Sequence, residues 1–146
     1  MKNMKNIKDL FKKELQEKGD EALLNVKYMG ISFDDIQKAY EELGLRSPIT
    51  IVKSEPNPYL EKGWGNGYVR IPEGHPYYEK NYEDIPVSVH GGLTFSNHVF
   101  GDNKYFSDGY WVGFDTAHYG DTKERWPVDR VMEETIHLFK EIYGLN

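Results

Sequence analysis

A chain of 146 residues with no cysteine and a formal net charge of −6 has the size of one domain and no thiol chemistry. Disulfides, thiolate nucleophiles, Cys-ligated zinc and iron–sulfur clusters are excluded, and a polyanion such as DNA is repelled on average. No apolar run reaches the length of a signal-peptide core or a membrane span, so the expectation is a cytoplasmic protein without membrane or nucleic-acid partners.

Ile7, Leu10, Phe11, Glu14 and Leu15 recur at helical spacing and Gly19 stops the run, which predicts a first helix over 5–18. Residues 22–29 are apolar without a clear period. Ser32 reads as an N-cap with Asp35 at the third helical position, a capping box using Asp in place of Glu, and Ile31 and Ile36 fit a hydrophobic staple around it. Ile36, Ala39, Tyr40 and Leu43 give this second helix its buried stripe, and Gly44 ends it.

Residues 49–52 read as a strand of β-branched side chains, and GYVRI at 67–71 as another; the prolines at 56 and 58 stiffen the loop between them. Residues 72–86 form a turn-rich excursion. Residues 87–95 (VSVHGGLTF) begin with strict alternation and predict a strand interrupted at Gly91 and Gly92, where paired glycines suggest a bulge or a close backbone approach. A polar loop over 97–109, a strand at 110–114 (YWVGF) and a polar loop over 115–125 follow. Pro127 suits the first turn of a closing helix, with Val128, Val131, Met132, Thr135, Ile136 and Phe139 as its buried face and Gly144 as its end. Helices, then strands, then a helix predict a single α+β domain: an antiparallel or mixed sheet of about four strands with helices packed on it. Its parts are a helical stretch over 1–46, a sheet with functional loops over 47–126 and a C-terminal helix over 127–144.

Three segments carry the residues capable of chemistry: Gly74-His75-Pro76, Val89-His90-Gly91-Gly92-Leu93-Thr94, and the run from Gly113 to Asp121 (GFDTAHYGD). GYVRIPEGHPYY, VHGGLTFS and WVGFDTAHYGD together resemble the motifs of a family of small bacteriophage and prophage proteins, over about half the chain. The resemblance implies a phage-type accessory protein working in a host cytosol, and no particular reaction. Members of that family often carry Cys where Thr116 stands, so a thiol mechanism does not transfer to this chain.

Four readings of these residues stand side by side. Asp115, His118 and Asp121 are spaced D-x-x-H-x-x-D, and with His90 they offer oxygen and nitrogen donors suited to a divalent metal. Without a metal, Asp115 can fix the tautomer of His90 as general base, with His118 beside it and Thr94 or Ser96 as nucleophile. As a binding pocket, Gly91 and Gly92 let backbone N–H groups approach an anion. Tyr68, Phe95, Trp111 and Tyr119 stack on a flat base, Arg70 and Arg125 meet phosphate, and His90, Thr94, Asp115, His118 and Asp121 read polar edges. In the fourth reading the same polar residues only close turns, as His75 before Pro76 does. Aromatic and glycine-rich loops outnumber recognisable catalytic motifs, which favours binding or sequestering a small nucleotide-like ligand. A small metal-dependent or His–Asp hydrolase of a phosphate-containing substrate and an inhibitor that binds a host protein are the alternatives, and a homo-oligomer is compatible with each.

Overall fold

The computed structural model describes residues 6–98 and 109–146; the polar loop predicted over 97–109 falls almost wholly outside them. Helix α1 spans Ile7–Lys18, opened by Asn6, whose side chain accepts the N–H of Asp9 at 2.9 Å. Phe11 and Leu15 are buried on it, whereas Leu10 turns to solvent. The apolar stretch without a clear period is a 3-10 helix over Gly19–Tyr28, which buries Ala22, Leu23 and Val26. Helix α2 spans Phe33–Glu42 and is capped as its sequence predicts: Ser32 Oγ accepts the Asp35 N–H at 3.1 Å, and Ile31 and Ile36 are both buried.

Strands β1 (Ile49–Lys53), β2 (Gly65–Ile71), β3 (Phe95–Asn97) and β4 (Tyr110–Phe114) form one antiparallel sheet in the order β1-β2-β4-β3. Among the described residues the chain is therefore an α+β domain with four strands, two N-terminal α-helices and a C-terminal helix, α3, over Val128–Tyr143. Strand side chains alternate between faces. Ile49, Val69, Val112 and Phe114 join the main core with Val131, Leu138 and Phe139 of α3. Helix and sheet approach closely at Gly67, where a Cβ would stand 2.0 Å from Thr135 Oγ1. The opposite face carries Tyr68, Arg70, Trp111 and Phe95, and there Tyr68 and Trp111 form a second apolar cluster joined by Phe95 and Val52.

Two sequence expectations fail. Val128 is exposed at the start of α3, where the first turn has not yet met the sheet. The strand predicted over 87–95 is irregular through Thr94, and only Phe95 enters β3. Its backbone groups pair with helix side chains in place of a neighbouring strand: Ser88 N–H donates to Glu141 Oε1 at 2.9 Å, His90 N–H donates to Glu134 Oε2 at 2.7 Å, and Ser88 O accepts from His137 Nε2 at 2.9 Å. Val87 and Val89 still pack on the core, so the alternation is real but belongs to a segment lying along α3.

Candidate functional site

The turn at His90 begins the site. Gly92 N–H donates to Val89 O at 2.8 Å, closing a four-residue turn with His90 and Gly91 at its centre. Gly91 has φ +67°, the left-handed value that the third residue of a type II turn requires. A Cβ on Gly91 would stand 2.2 Å from His118 Nε2, so the glycine is also the floor on which the His118 ring rests. This is the close backbone approach that the double glycine foreshadowed, made by a side chain of the same protein. Gly92 faces open space, and its N–H is already engaged by Val89.

The loop after β4 supplies the other half. Asp115 Oδ1 accepts the Ala117 N–H at 3.0 Å, an Asx turn at the strand end. Thr116 is buried and donates to Gly65 O at 2.7 Å, while its own carbonyl accepts from Gly63 N–H at 2.7 Å. Thr116 thus ties this loop to β2. Asp121, only 4% exposed, accepts the His118 N–H through Oδ2 at 2.9 Å and meets His90 Nε2 at 2.9 and 3.1 Å. Carboxylate oxygens accept, so Nε2 of His90 carries a proton.

His118 Nε2 lies 3.0 Å from Asp115 Oδ1, an ion-pair distance. The approach is too oblique for a hydrogen bond, and this nitrogen is buried without a hydrogen-bond partner among the described residues. The two rings meet edge to face with centroids 5.5 Å apart, and their side chains are 25% and 34% exposed. Neither Nδ1 makes a hydrogen bond among the described residues.

Each carboxylate is engaged by its own imidazole and a backbone N–H, so the four side chains do not surround a common point. Among the described residues no group of three or more His, Asp and Glu is arranged to hold a metal ion. The donor set that suggested a divalent metal resolves into two His–Asp pairs. The catalytic reading paired His90 with Asp115; His90 takes Asp121 instead, and Asp115 pairs with His118.

Residues unremarked in the sequence hold His90 in place. Trp126 stacks on its ring with centroids 4.1 Å apart, and the Arg130 guanidinium lies 4.0 Å from the Trp126 ring centroid on a cation–π contact. Glu134 fixes its backbone. Glu134, His137 and Glu141 fall on one helical face at i, i+3 and i+7, a readable stripe, but polar stripes on helices are routinely solvated.

Four expected ligand contacts lie elsewhere. Arg70, Trp111 and Phe95 sit on the sheet face opposite α3, where Arg70 pairs with Asp20, donates to Arg46 O at 3.0 Å and lies over the Trp111 ring. Trp111 is fully buried there, and Tyr68 belongs to the same cluster. Thr94 is exposed, with its N–H donating to Gly113 O at 2.9 Å. His75 serves a turn, as expected. Its Nδ1 accepts the Tyr77 N–H at 3.0 Å, which leaves Nε2 to donate to Ile142 O at 2.9 Å. Burial lowers its pKa below the ordinary value of 6.5, with the charge of Lys27 adding to that and the bond to Ile142 opposing it.

An open cleft of about 660 Å³ lies beside the pairs, bordered by His118, Tyr119, Asp121 and Arg125 on one side and by Leu60 and Glu61 on the other. His90 does not border it. Tyr119 is wholly exposed at its rim. No protein-family model, curated protein or solved structure matches the chain at a significant level.

Proposed function

We propose that the chain binds a small nucleotide-like ligand in the cleft between Leu60 and the 118–125 loop. The observation that carries this reading is that His118 and Asp121, one from each His–Asp pair, border that cleft, whose volume falls in the range of small-molecule sites. A nucleotide offers a flat ring, an anion and polar edges. The exposed Tyr119 ring suits the first, the Arg125 guanidinium the second and the imidazole edge of His118 the third. Arg70, Trp111 and Phe95 have no part in this site. The motif resemblance to phage and prophage proteins supports a role in which such a ligand is sequestered in a host cytosol.

Thermal melting with AMP, ADP-ribose and a cyclic dinucleotide tests the reading. A ligand that binds only the folded chain stabilises it by about 2.7 kcal/mol at a hundredfold excess over Kd. Tyr119→Ala and Arg125→Ala are expected to keep the unliganded midpoint, since both side chains are exposed, and to lose most of the ligand-induced shift. A wild-type melt that none of the three ligands moves contradicts the proposal.

A further inference from the structure

We propose that the outer edge of β1 joins two copies of this chain, strand to strand, into a two-fold dimer with one continuous sheet. β1 stands at the end of the strand order, so only its inner edge has a neighbouring strand among the described residues. The register with β2 fixes which of its backbone groups are used. Arg70 N–H donates to Pro48 O at 2.8 Å and Ser54 N–H donates to Trp64 O at 3.0 Å, which makes Pro48–Arg70 and Ser54–Trp64 hydrogen-bonded pairs. Such pairs alternate along an antiparallel ladder, so Thr50 and Val52 turn their backbone groups to β2, and Ile49, Ile51 and Lys53 turn theirs outward. Ser47 Oγ accepts the Ile49 N–H at 3.2 Å. Among the described residues nothing hydrogen-bonds to the N–H groups of Ile51 and Lys53 or to the outward carbonyls. An open groove of about 480 Å³ lies along residues 50–56. A row of open donors and acceptors at two-residue spacing is complementary to another strand edge.

A second copy of β1 fits this edge, and charge selects its register. In an antiparallel pairing centred on Ile51, the two Ile51 residues exchange N–H and C=O bonds, and each Lys53 N–H meets Ile49 O of the other copy. Both open donors are then satisfied, and Ile49 N–H keeps its bond to Ser47. Lys53 lies across from Ile49 of the other copy, so the two ammonium groups stand at opposite ends of the ladder. Registers centred on Val52 or Lys53 set the two lysines on a diagonal or directly opposite each other, which is destabilising. Registers centred on Ile49 or Thr50 call on the N–H that Ser47 already holds. The Ile51 register also sets Glu55 across from Ser47, next to Arg46, so each end of the ladder brings an acid to a base. Pro48 and Pro56 bound the edge, since neither has an N–H to extend a ladder. The two-fold pairing uses the same edge of both copies and therefore closes at a dimer.

The test needs no ligand, so its outcome is independent of the binding reading. Sedimentation equilibrium of the full chain over a range of concentrations is expected to show a monomer–dimer equilibrium. Lys53 is exposed and its N–H takes no part in the β2 ladder, so Lys53→Pro removes an outward donor at an edge position where proline is tolerated. This variant is expected to weaken the dimer at least about tenfold in Kd while melting cooperatively, whereas Lys53→Ala, which keeps the N–H, dimerises as the wild type does. Because the chain has no cysteine, cross-linking reads the register. Opposed residues of a hydrogen-bonded pair have Cα atoms about 5.5 Å apart, within disulfide range, whereas the two positions 53 are separated by roughly 13 Å along the strand. Oxidation with copper–phenanthroline is therefore expected to link Ile51→Cys into a covalent dimer and to leave Lys53→Cys unlinked. A chain that stays monomeric up to its solubility limit overturns the proposal and leaves the edge to a strand of another protein. A dimer that survives Lys53→Pro unchanged, or that links through Lys53→Cys and not through Ile51→Cys, also overturns it.

Discussion

Gly91 and Gly92 adjoin each other and have similar backbone angles, but they carry different burdens. Both lie in the left-handed region, at φ +67° and +78°, so an alanine at either position meets backbone strain of about 1–2 kcal/mol. Only at Gly91 would the added methyl also strike a side chain, the His118 ring. Gly92→Ala is therefore expected to lose about 1–2 kcal/mol in a denaturant melt and to keep ligand-induced stabilisation. Gly91→Ala is expected to lose more and to abolish that stabilisation, because His118 must leave its seat. Equal losses in both variants contradict this assignment. The double glycine was legible in the sequence as a place of close approach, and His90, Asp115, His118 and Asp121 were legible as a set. Which carboxylate serves which imidazole was not, because loop geometry decides it: the Asx turn at Asp115 and the buried hydrogen bond of Thr116 set the loop's path from β4, and that path delivers Asp121 to His90. Trp126 was invisible for a related reason. A tryptophan before a helix signals burial, and nothing local to it marks an imidazole as its stacking partner.

Among the elements, α3 does two jobs. Its apolar face closes the core, and its polar stripe of Glu134, His137 and Glu141 accepts and donates along the 88–90 backbone. Strict alternation in 87–90 reads as a strand because period two reports only that every second side chain is buried. It cannot tell a sheet neighbour from a helix flank. The capped helix α2 was legible in full, since capping is local chemistry within a few residues. The other end of α3 is held by His75, whose neutral ring bridges the Tyr77 N–H and the Ile142 carbonyl. A proton on Nδ1 would remove the first of these bonds. With its folded pKa lowered, the native chain binds fewer protons at His75 than the unfolded chain does. The stabilisation is complete above the ordinary value of 6.5 and is lost as pH falls through 6.5 toward the lowered folded value, below which it levels off. Denaturant melts of wild type and His75→Gln between pH 7.5 and about 5 are expected to converge as pH falls, since only the wild type carries this titration. Parallel curves contradict that account of the turn.

On the scale of the whole molecule, the sheet separates two groups of residues that share polar and aromatic character. In β2 and β4, Arg70 and Trp111 are directly opposed on one face, while Val69 and Val112 are opposed on the other, under α3. The alternation in β2 was readable from GYVRI, so Arg70 could be assigned to a face opposite Val69 and Ile71. What the sequence withheld was which face looks toward His90. That depends on how the chain leaves β4 and on α3 lying beside the 88–90 segment, both long-range facts. The four-strand α+β architecture was legible because it follows from element order, whereas the membership of the site depended on topology. As a result the binding reading rests on Tyr119, Arg125 and the two His–Asp pairs, and the aromatic cluster around Trp111 stands apart from it.

The imidazole nitrogens can report on this site directly. In a long-range nitrogen–proton spectrum of the full chain at neutral pH, His90 is expected as the Nε2-protonated tautomer, held so by Asp121. Saturation with the nucleotide that stabilises the fold most is expected to move the ring signals of His90 and His118 and to leave those of His75 in place. Ligand-induced stabilisation with both of these rings unmoved, or an Nδ1-protonated His90, contradicts the claim that the His–Asp pairs form the binding site.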